Sequence, residues 1–142
     1  MTGFVFRRQF AIEWGDCDPL GIVFNSNFFA FFDRSAWLMF EAALGVAPHE
    51  LSEVYGIIGI PLVSAQAKFI APAKFGDRAE LESRIVDMRR SSFDIAHQLF
   101  IDGKLAVDGL EKRVWASRHP DDPARLKARP IPDEVAAKFG LR

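Results

Sequence analysis

A chain of 142 residues with 49% hydrophobic and 26% charged side chains has the size and make-up of one ordinary globular domain, which excludes a second full domain and the disordered, collagen-like and low-complexity classes. Eighteen Lys and Arg against nineteen Asp and Glu leave a net charge of −1, so no global field holds a nucleic-acid backbone or an anionic membrane, and any anion must be met locally. No apolar run approaches the ~18 residues that cross a bilayer, the start runs into Arg7 and Arg8 too soon for a signal peptide, and the single Cys17 forms no internal disulfide, so a cytoplasmic protein is expected.

Fourteen Phe against one Tyr and three Trp ask for a large dry interior or a pocket. From Phe4 to Trp14, Phe4, Phe6, Phe10, Ile12 and Trp14 share one parity with Arg8, while Arg7, Gln9 and Glu13 take the other, the pattern of a half-buried strand. Gly15 to Gly21 gathers Gly, Asp and Pro into a loop in which Pro19 holds Asp18 extended. Asn25, Ser26 and Asn27 offer capping side chains, and no Pro or Gly follows until Gly45, which predicts one long helix ending at Leu44. Its Phe28, Phe29, Phe31, Phe32, Trp37, Leu38, Met39, Phe40 and Leu44 surround most of the circumference, so burial on nearly all sides is expected.

A short helix is expected from Pro48 to Tyr55, ended by Gly56. Strands follow at Pro61 to Ile70, Arg78 to Met88, Phe93 to Ile101 and Lys104 to Ser117, separated by the loop Pro72 to Asp77, the connection Arg89 to Ser92 and the hairpin dipeptide Asp102-Gly103. Their short links imply antiparallel neighbours. From Pro120 the chain is polar, with a short helix near Asp133 to Phe139. Residues 1–142 thus read as a single α+β domain in which a curved five-stranded antiparallel sheet wraps around a long central helix.

Chemistry is best placed in the loop from Trp14 to Val23. It feeds a helix N-terminus, where unpaired N–H groups can hold an oxyanion, and Asp16 or Asp18 can attack a carbonyl or activate a water beside it. The alternative is that both carboxylates merely satisfy loop N–H groups. Cys17, between two acids, is expected to stay a structural thiol. His49, His97 and His119 are scattered and no Cys or His pair has metal-ligand spacing, so no metal site is expected. Asp33 has Phe29, Ala30, Ala36 and Trp37 as its helical neighbours, an apolar surround that demands a partner from the protein or from a ligand. Arg89-Arg90 reads either as a solvated turn or as a phosphate grip.

Gly15-Asp16-Cys17-Asp18-Pro19 followed by Gly21-Ile22-Val23, Asn27 and Asp33 in the helix, Gly56-Ile57-Ile58-Gly59-Ile60-Pro61 and Arg89-Arg90-Ser91-Ser92-Phe93 occur in an order that resembles the hot-dog-fold acyl-CoA thioesterases, in particular the 4-hydroxybenzoyl-CoA thioesterase family. The resemblance covers most of the chain. It implies hydrolysis of an aromatic acyl-CoA to the free acid and coenzyme A without a cofactor, by homodimers or homotetramers built as dimers of dimers. It further implies that Asp18 is the nucleophile or general base, that the Asn25 backbone N–H polarises the thioester carbonyl, that Asp33 meets a phenolic hydroxyl, and that Arg89 and Arg90 carry the coenzyme A phosphates.

Asn25 stands where the family has tyrosine, Ile60 where its Gly-x-x-Gly-Thr-Pro pattern has threonine, and Ser91 where a lysine follows the two arginines. Ile60 and Ser91 are therefore carried as altered substrate-contacting positions. A short-chain aliphatic thioesterase of the Tol-Pal-associated type and a non-catalytic acyl-CoA-binding protein remain as alternatives. Enoyl-CoA hydration is set aside, because Asp18 and Gly21 occupy the Asn and His positions of the Asp-x-Asn-Pro-x-His pattern that chemistry uses.

Overall fold

The structure is a computed structural model and describes residues 3–141, so the outermost residues of the expected domain, 1, 2 and 142, lie outside the described residues. Strand β1 (Phe6–Ala11) enters the acidic loop, which leads into helix α1 (Asn25–Leu44). Helix α2 (Leu51–Tyr55), preceded by a 3-10 turn at Pro48–Glu50, precedes strands β2 (Leu62–Phe69), β3 (Arg78–Met88), β4 (Ser92–Ile101) and β5 (Lys104–Val114). The chain closes with a small hairpin of β6 (Ala116–Arg118) and β7 (Leu126–Ala128) and with helix α3 (Asp133–Lys138). The main sheet has the order β1-β3-β4-β5-β2 with antiparallel pairing throughout.

Alternation decides which face is covered. Ala79, Leu81, Ser83 and Ile85 of β3, Phe93, Ile95, His97 and Leu99 of β4, and Val107, Gly109, Glu111 and Arg113 of β5 are all buried, and their sequence neighbours are less covered except at Ala106, which joins the core. Helix α1 lies on that inner face. Phe28 and Phe32 pack with Ile12, Val23, Leu81 and Leu99 at one end, while Ala36, Met39, Phe40 and Leu44 pack with Ile60, Phe93, Ile95, Trp115 and Phe139 at the other.

Four local expectations are corrected. The first strand is shorter than Phe4 to Trp14, because the Asp16 carboxylate accepts the Glu13 N–H at 2.9 Å and winds Trp14–Asp16 into a 3-10 turn. The helix is not capped by Asn25, Ser26 or Asn27: Phe24 holds the N-cap position, and the Asn27 amide instead donates to the Asp16 carbonyl at 2.8 Å. The strand expected from Lys104 to Ser117 breaks at Trp115, whose N–H turns to the Ser91 carbonyl, and Ala116–Arg118 then pairs with a strand inside the polar tail. Within one chain the helix is also covered on one face only, since Asn25, Ser26, Ala30, Asp33, Arg34 and Glu41 are exposed. The edge strand β2 is exposed along nearly its whole length, including Leu62 and Val63.

The closest approach of helix to sheet is at Gly109. A Cβ there would overlap the Phe32 ring, which is wholly buried and stacked on His97 with centroids 4.8 Å apart and planes 6° from parallel. Gly109→Ala is expected to lower stability by about 1–3 kcal/mol, because neither ring has room to yield; thermal denaturation against the parent chain measures it.

Candidate active site

The acidic loop is pinned on both sides. Asp18 N–H donates to the Ile22 carbonyl at 2.9 Å, Gly21 N–H to the Asp18 carbonyl at 2.9 Å, Val23 N–H to Ala73 at 2.8 Å and Phe75 N–H to Gly21 at 2.9 Å. Gly21 turns at φ 82°, a conformation only glycine adopts without strain. The two acids then take different roles. Asp16 is spent on structure: its carboxylate holds Glu13, and its carbonyl accepts Phe24 N–H and the Asn27 amide. Asp18 accepts the Leu20 N–H on Oδ1 at 2.8 Å, and no described residue donates to its Oδ2. Its carboxylate is thus oriented but not consumed.

Asn25 opens the helix five residues after the loop turn, and its backbone N–H has no acceptor within the helix. It lines a cavity of about 190 Å³ with Ile22, Val23, Phe28, Phe69 and Ile70, an apolar recess at the start of the helix. Larger surface hollows, of about 370 and 450 Å³, lie away from this loop, around Glu80 and Gly103 and beside His49 and Arg129. The smaller recess differs from them in adjoining both the first amide of the helix and the end of the acidic loop. Cys17 beside them is held as the thiol, since burial and then Asp16 and Asp18 push its pKa up.

Asp33 departs from the expected apolar surround. Its side chain is 55% exposed, and Oδ1 accepts from Arg113 Nη2 at 2.7 Å. The partner it required therefore comes from β5, beneath the helix. Arg113 itself is wholly buried: Nε and Nη2 donate to Glu111 at 3.0 Å each, and Nη1 donates to the Ile60 carbonyl at 2.9 Å. Glu111 Oε1 also accepts from His97 Nε2 at 2.8 Å, and His97 Nδ1 takes the Ser83 hydroxyl at 2.7 Å. Ile60, carried as a substrate-contacting position, has a fully buried side chain that faces the core, and only its carbonyl joins this network. Sequence reasoning passed over Glu111 and Arg113 and weighed His97 only as a metal ligand, although their inward parity on β4 and β5 was the available signal.

At the β3–β4 turn the two arginines differ. Arg89 is a clamp: Nε donates to Ser92 Oγ at 2.8 Å, Nη1 to Asp87, and Nη2 to Asp94 at 2.7 Å, and above all the bond to Asp94 holds its guanidinium above its ordinary pKa. Expected from the sequence to carry phosphates, Arg89 is already engaged by carboxylates within its own chain. Arg90 is exposed and its side chain has no partner among the described residues, while Ser91 is half-buried and its carbonyl accepts Trp115 N–H. This turn lies at the far end of β3 from the acidic loop. Eleven strand residues put about 35 Å between them, so one chain does not bring Arg90 to Asp18. Asn25 and Asp33, eight residues apart on one helix, are separated by about 12 Å along its axis.

A five-stranded sheet curled over one helix, with an acidic loop leading into that helix, is a hot-dog fold. The family model described as Thioesterase-like superfamily matches residues 12–139; the chain belongs to that family and is a thioester hydrolase. It is 35% identical over 130 residues, covering 87% of this chain and 89% of the relative, to the 4-hydroxybenzoyl-CoA thioesterase of Pseudomonas sp. strain CBS-3. The solved structure of that enzyme superposes with a TM-score of 0.84 at 30% identity over 94% of this chain and 98% of that one. A gentisyl-coenzyme A thioesterase structure gives a TM-score of 0.78 at 32% identity, covering 92% and 98%. The acyl-CoA thioester hydrolase YbgC of Escherichia coli is 22% identical over 98% of both chains.

The buried network fixes an acid response. Burial holds His97 below its ordinary pKa of 6.5, with Glu111 pulling the other way. The folded chain then binds a proton less readily than the unfolded one, so this contribution to stability is complete above pH 6.5 and is lost as pH falls through the folded value. For Glu111, burial works upward but is outweighed by the hydrogen bonds from His97 and Arg113, which leaves its pKa below the ordinary 4.5. Its contribution is present above 4.5 and is lost on further acidification. Thermal scans between pH 8 and 4 should show a melting temperature level above 6.5 and falling below it, and His97→Gln should remove the first part of the fall.

Proposed function

We propose that the protein hydrolyses an aromatic acyl-CoA of the 4-hydroxybenzoyl type to the free acid and coenzyme A, with Asp18 as nucleophile or general base. The observation that carries this reading is the division of the Asp18 carboxylate, one oxygen fixed by Leu20 N–H and the other open, in the loop that feeds an unpaired helix amide. As nucleophile, Asp18 attacks the thioester carbon, the carbonyl electrons pass to oxygen against the Asn25 N–H, and the collapsing intermediate expels coenzyme A thiolate to leave a mixed anhydride that water cleaves. As base, it takes a proton from the water that attacks the same carbon. Both routes end in the acid and the thiol and consume one water.

The acyl class is supported by three things. Two relatives named for hydroxybenzoyl-type thioesters, the 4-hydroxybenzoyl-CoA and gentisyl-coenzyme A thioesterases, are 35% and 32% identical. The recess beside Asn25 is walled by Phe28, Phe69 and Ile70, which suit a flat ring. Asp33 offers an open Oδ2, and a hydroxybenzoyl group with a hydrogen bond at each end has about the length that separates it from Asn25. Arg90, rather than Arg89, is the guanidinium available for a coenzyme A phosphate. Because it stands a strand's length from Asp18 in the same chain, the site is complete only when a second copy supplies it, through pairing of the exposed β2 edges into a dimer or a dimer of dimers.

Asp18→Asn should retain the fold and lose at least about 100-fold in kcat, the scale of a lost acid–base group, read as thiol release from an acyl-CoA. In the same assay kcat/KM should fall from 4-hydroxybenzoyl-CoA to benzoyl-CoA to acetyl-CoA; a short aliphatic thioester that outpaces every aryl one would overturn the acyl assignment. Light scattering at assay concentration should find dimers or tetramers, and a fully active monomer would rule out a shared site.

A further inference from the structure

Asp33 is the one outlet to solvent of a charged cluster that is otherwise sealed. Glu111 and Arg113 are 2% and 1% exposed, and His97 and Ser83 are fully buried. A buried ion pair of this kind is weak as a source of stability, since apolar replacements of similar volume often do as well or better. Its geometry, in contrast, is fully determined. Glu111 grips the guanidinium through Nε and Nη2, which fixes the plane of the fork; Nη2 then aims at Asp33 Oδ1 and Nη1 at the Ile60 carbonyl. Glu111 is kept from turning by His97, which donates from Nε2 because Nδ1 receives the Ser83 hydroxyl. His97 in turn lies flat beneath Phe32, the residue adjoining Asp33 on the helix. The helix is thus held at two consecutive positions by the same set of strand residues.

We infer that Arg113, locked by Glu111 and His97, is a positioning residue that aims the open oxygen of Asp33 at the acyl group, and that it thereby restricts the para substituent to a neutral hydrogen-bond donor. The inference rests on the aromatic acyl-CoA reading and adds to it the residues that set selectivity. Glu111 and Arg113 cancel each other, so the charge left at the opening is that of Asp33. An anionic substituent is repelled there, and one that only accepts finds no proton. A hydroxyl and an amine both satisfy the carboxylate, and the site distinguishes them little.

The test is a panel of 4-hydroxybenzoyl-, 4-aminobenzoyl-, 4-methoxybenzoyl-, 4-carboxybenzoyl- and benzoyl-CoA, compared by kcat/KM in the parent protein, Glu111→Gln, Arg113→Lys and Asp33→Asn. In the parent, the two donors should exceed benzoyl-CoA by roughly tenfold, the worth of one hydrogen bond to a charged acceptor, and the methoxy and carboxylate substrates should fall below it. Glu111→Gln, Arg113→Lys and Asp33→Asn should each shrink the donor preference to within about twofold, because kcat/KM falls much further for the two donor substrates than for benzoyl-CoA. Circular dichroism establishes that each variant is folded. Should neither buried variant fold, the parent panel decides: equal turnover of the carboxylate and hydroxyl substrates overturns the inference, and the predicted ranking upholds it. A parent enzyme that hydrolyses thioesters with no donor preference overturns the acyl reading and this inference together. A donor preference kept in full by folded Glu111→Gln and Arg113→Lys overturns the inference alone.

Discussion

A guanidinium removed from water must have its donors met, and meeting those of Arg113 ties the helix to β5 and to the segment before the edge strand. Glu111 on the same strand, Asp33 on the helix and the Ile60 carbonyl before the edge strand converge on one planar group. Burial alone works against the Arg113 charge, and the hydrogen bonds and proximity of Glu111 and Asp33 more than offset it, so its pKa ends above the ordinary value. The helix is therefore positioned by a directional polar anchor at its middle as well as by apolar packing at its two ends. Apolar packing tolerates a slide; four directed hydrogen bonds to one guanidinium do not.

What could be read from the sequence divides along a physical line. Elements set by local periodicity and by breakers emerged with nearly their final bounds: α1 between the acidic loop and Gly45, and β3 and β4 between Pro72 and Asp102-Gly103. Features set by contacts distant in sequence did not. No local pattern says that Asn27 will prefer the Asp16 carbonyl to the helix amides, or that Trp115 will turn to Ser91 and start a second small sheet. Pro19 and Gly21 marked the loop around Asp18, but its residues alone left Asp16 and Asp18 open between chemistry and loop structure. The partners of Arg89, Asp87 and Asp94, could not be read ahead, because they lie on two strands whose register decides whether they meet. Asp33 announced a need for a partner, but Arg113, eighty positions on, could be identified only once the sheet was folded beneath the helix.

The acidic loop and the recess beside it show a second dependence. Asp18 is held by its own turn and by backbone bonds to the segment around Ala73, so its orientation owes nothing to the acyl-facing side chains. The recess takes Ile22 and Val23 from the acidic loop itself and borrows Phe69 and Ile70 from the exposed edge strand and its end, whereas the Arg113 network lies toward the other end of β2, beside Leu62. On the proposed reading, the reacting carboxylate rests on the loop alone, while acyl recognition draws also on the edge strand and the helix, a part of the site that is separate from the loop.

That separation has an evolutionary consequence. Substitutions along β2, at the helix positions near Asp33 or in the loop before β2 can remodel what is recognised while the acidic loop stays untouched, so new specificities can arise without passing through inactive intermediates. Changes within the loop have less freedom, since Gly21 N–H closes the turn on the Asp18 carbonyl and Asp16 ties the loop to Glu13, Phe24 and Asn27. Drift in such a scaffold should then be uneven, fast along the walls and slow at the turn, and a fold of this kind is well suited to diversify its substrates while keeping one chemistry.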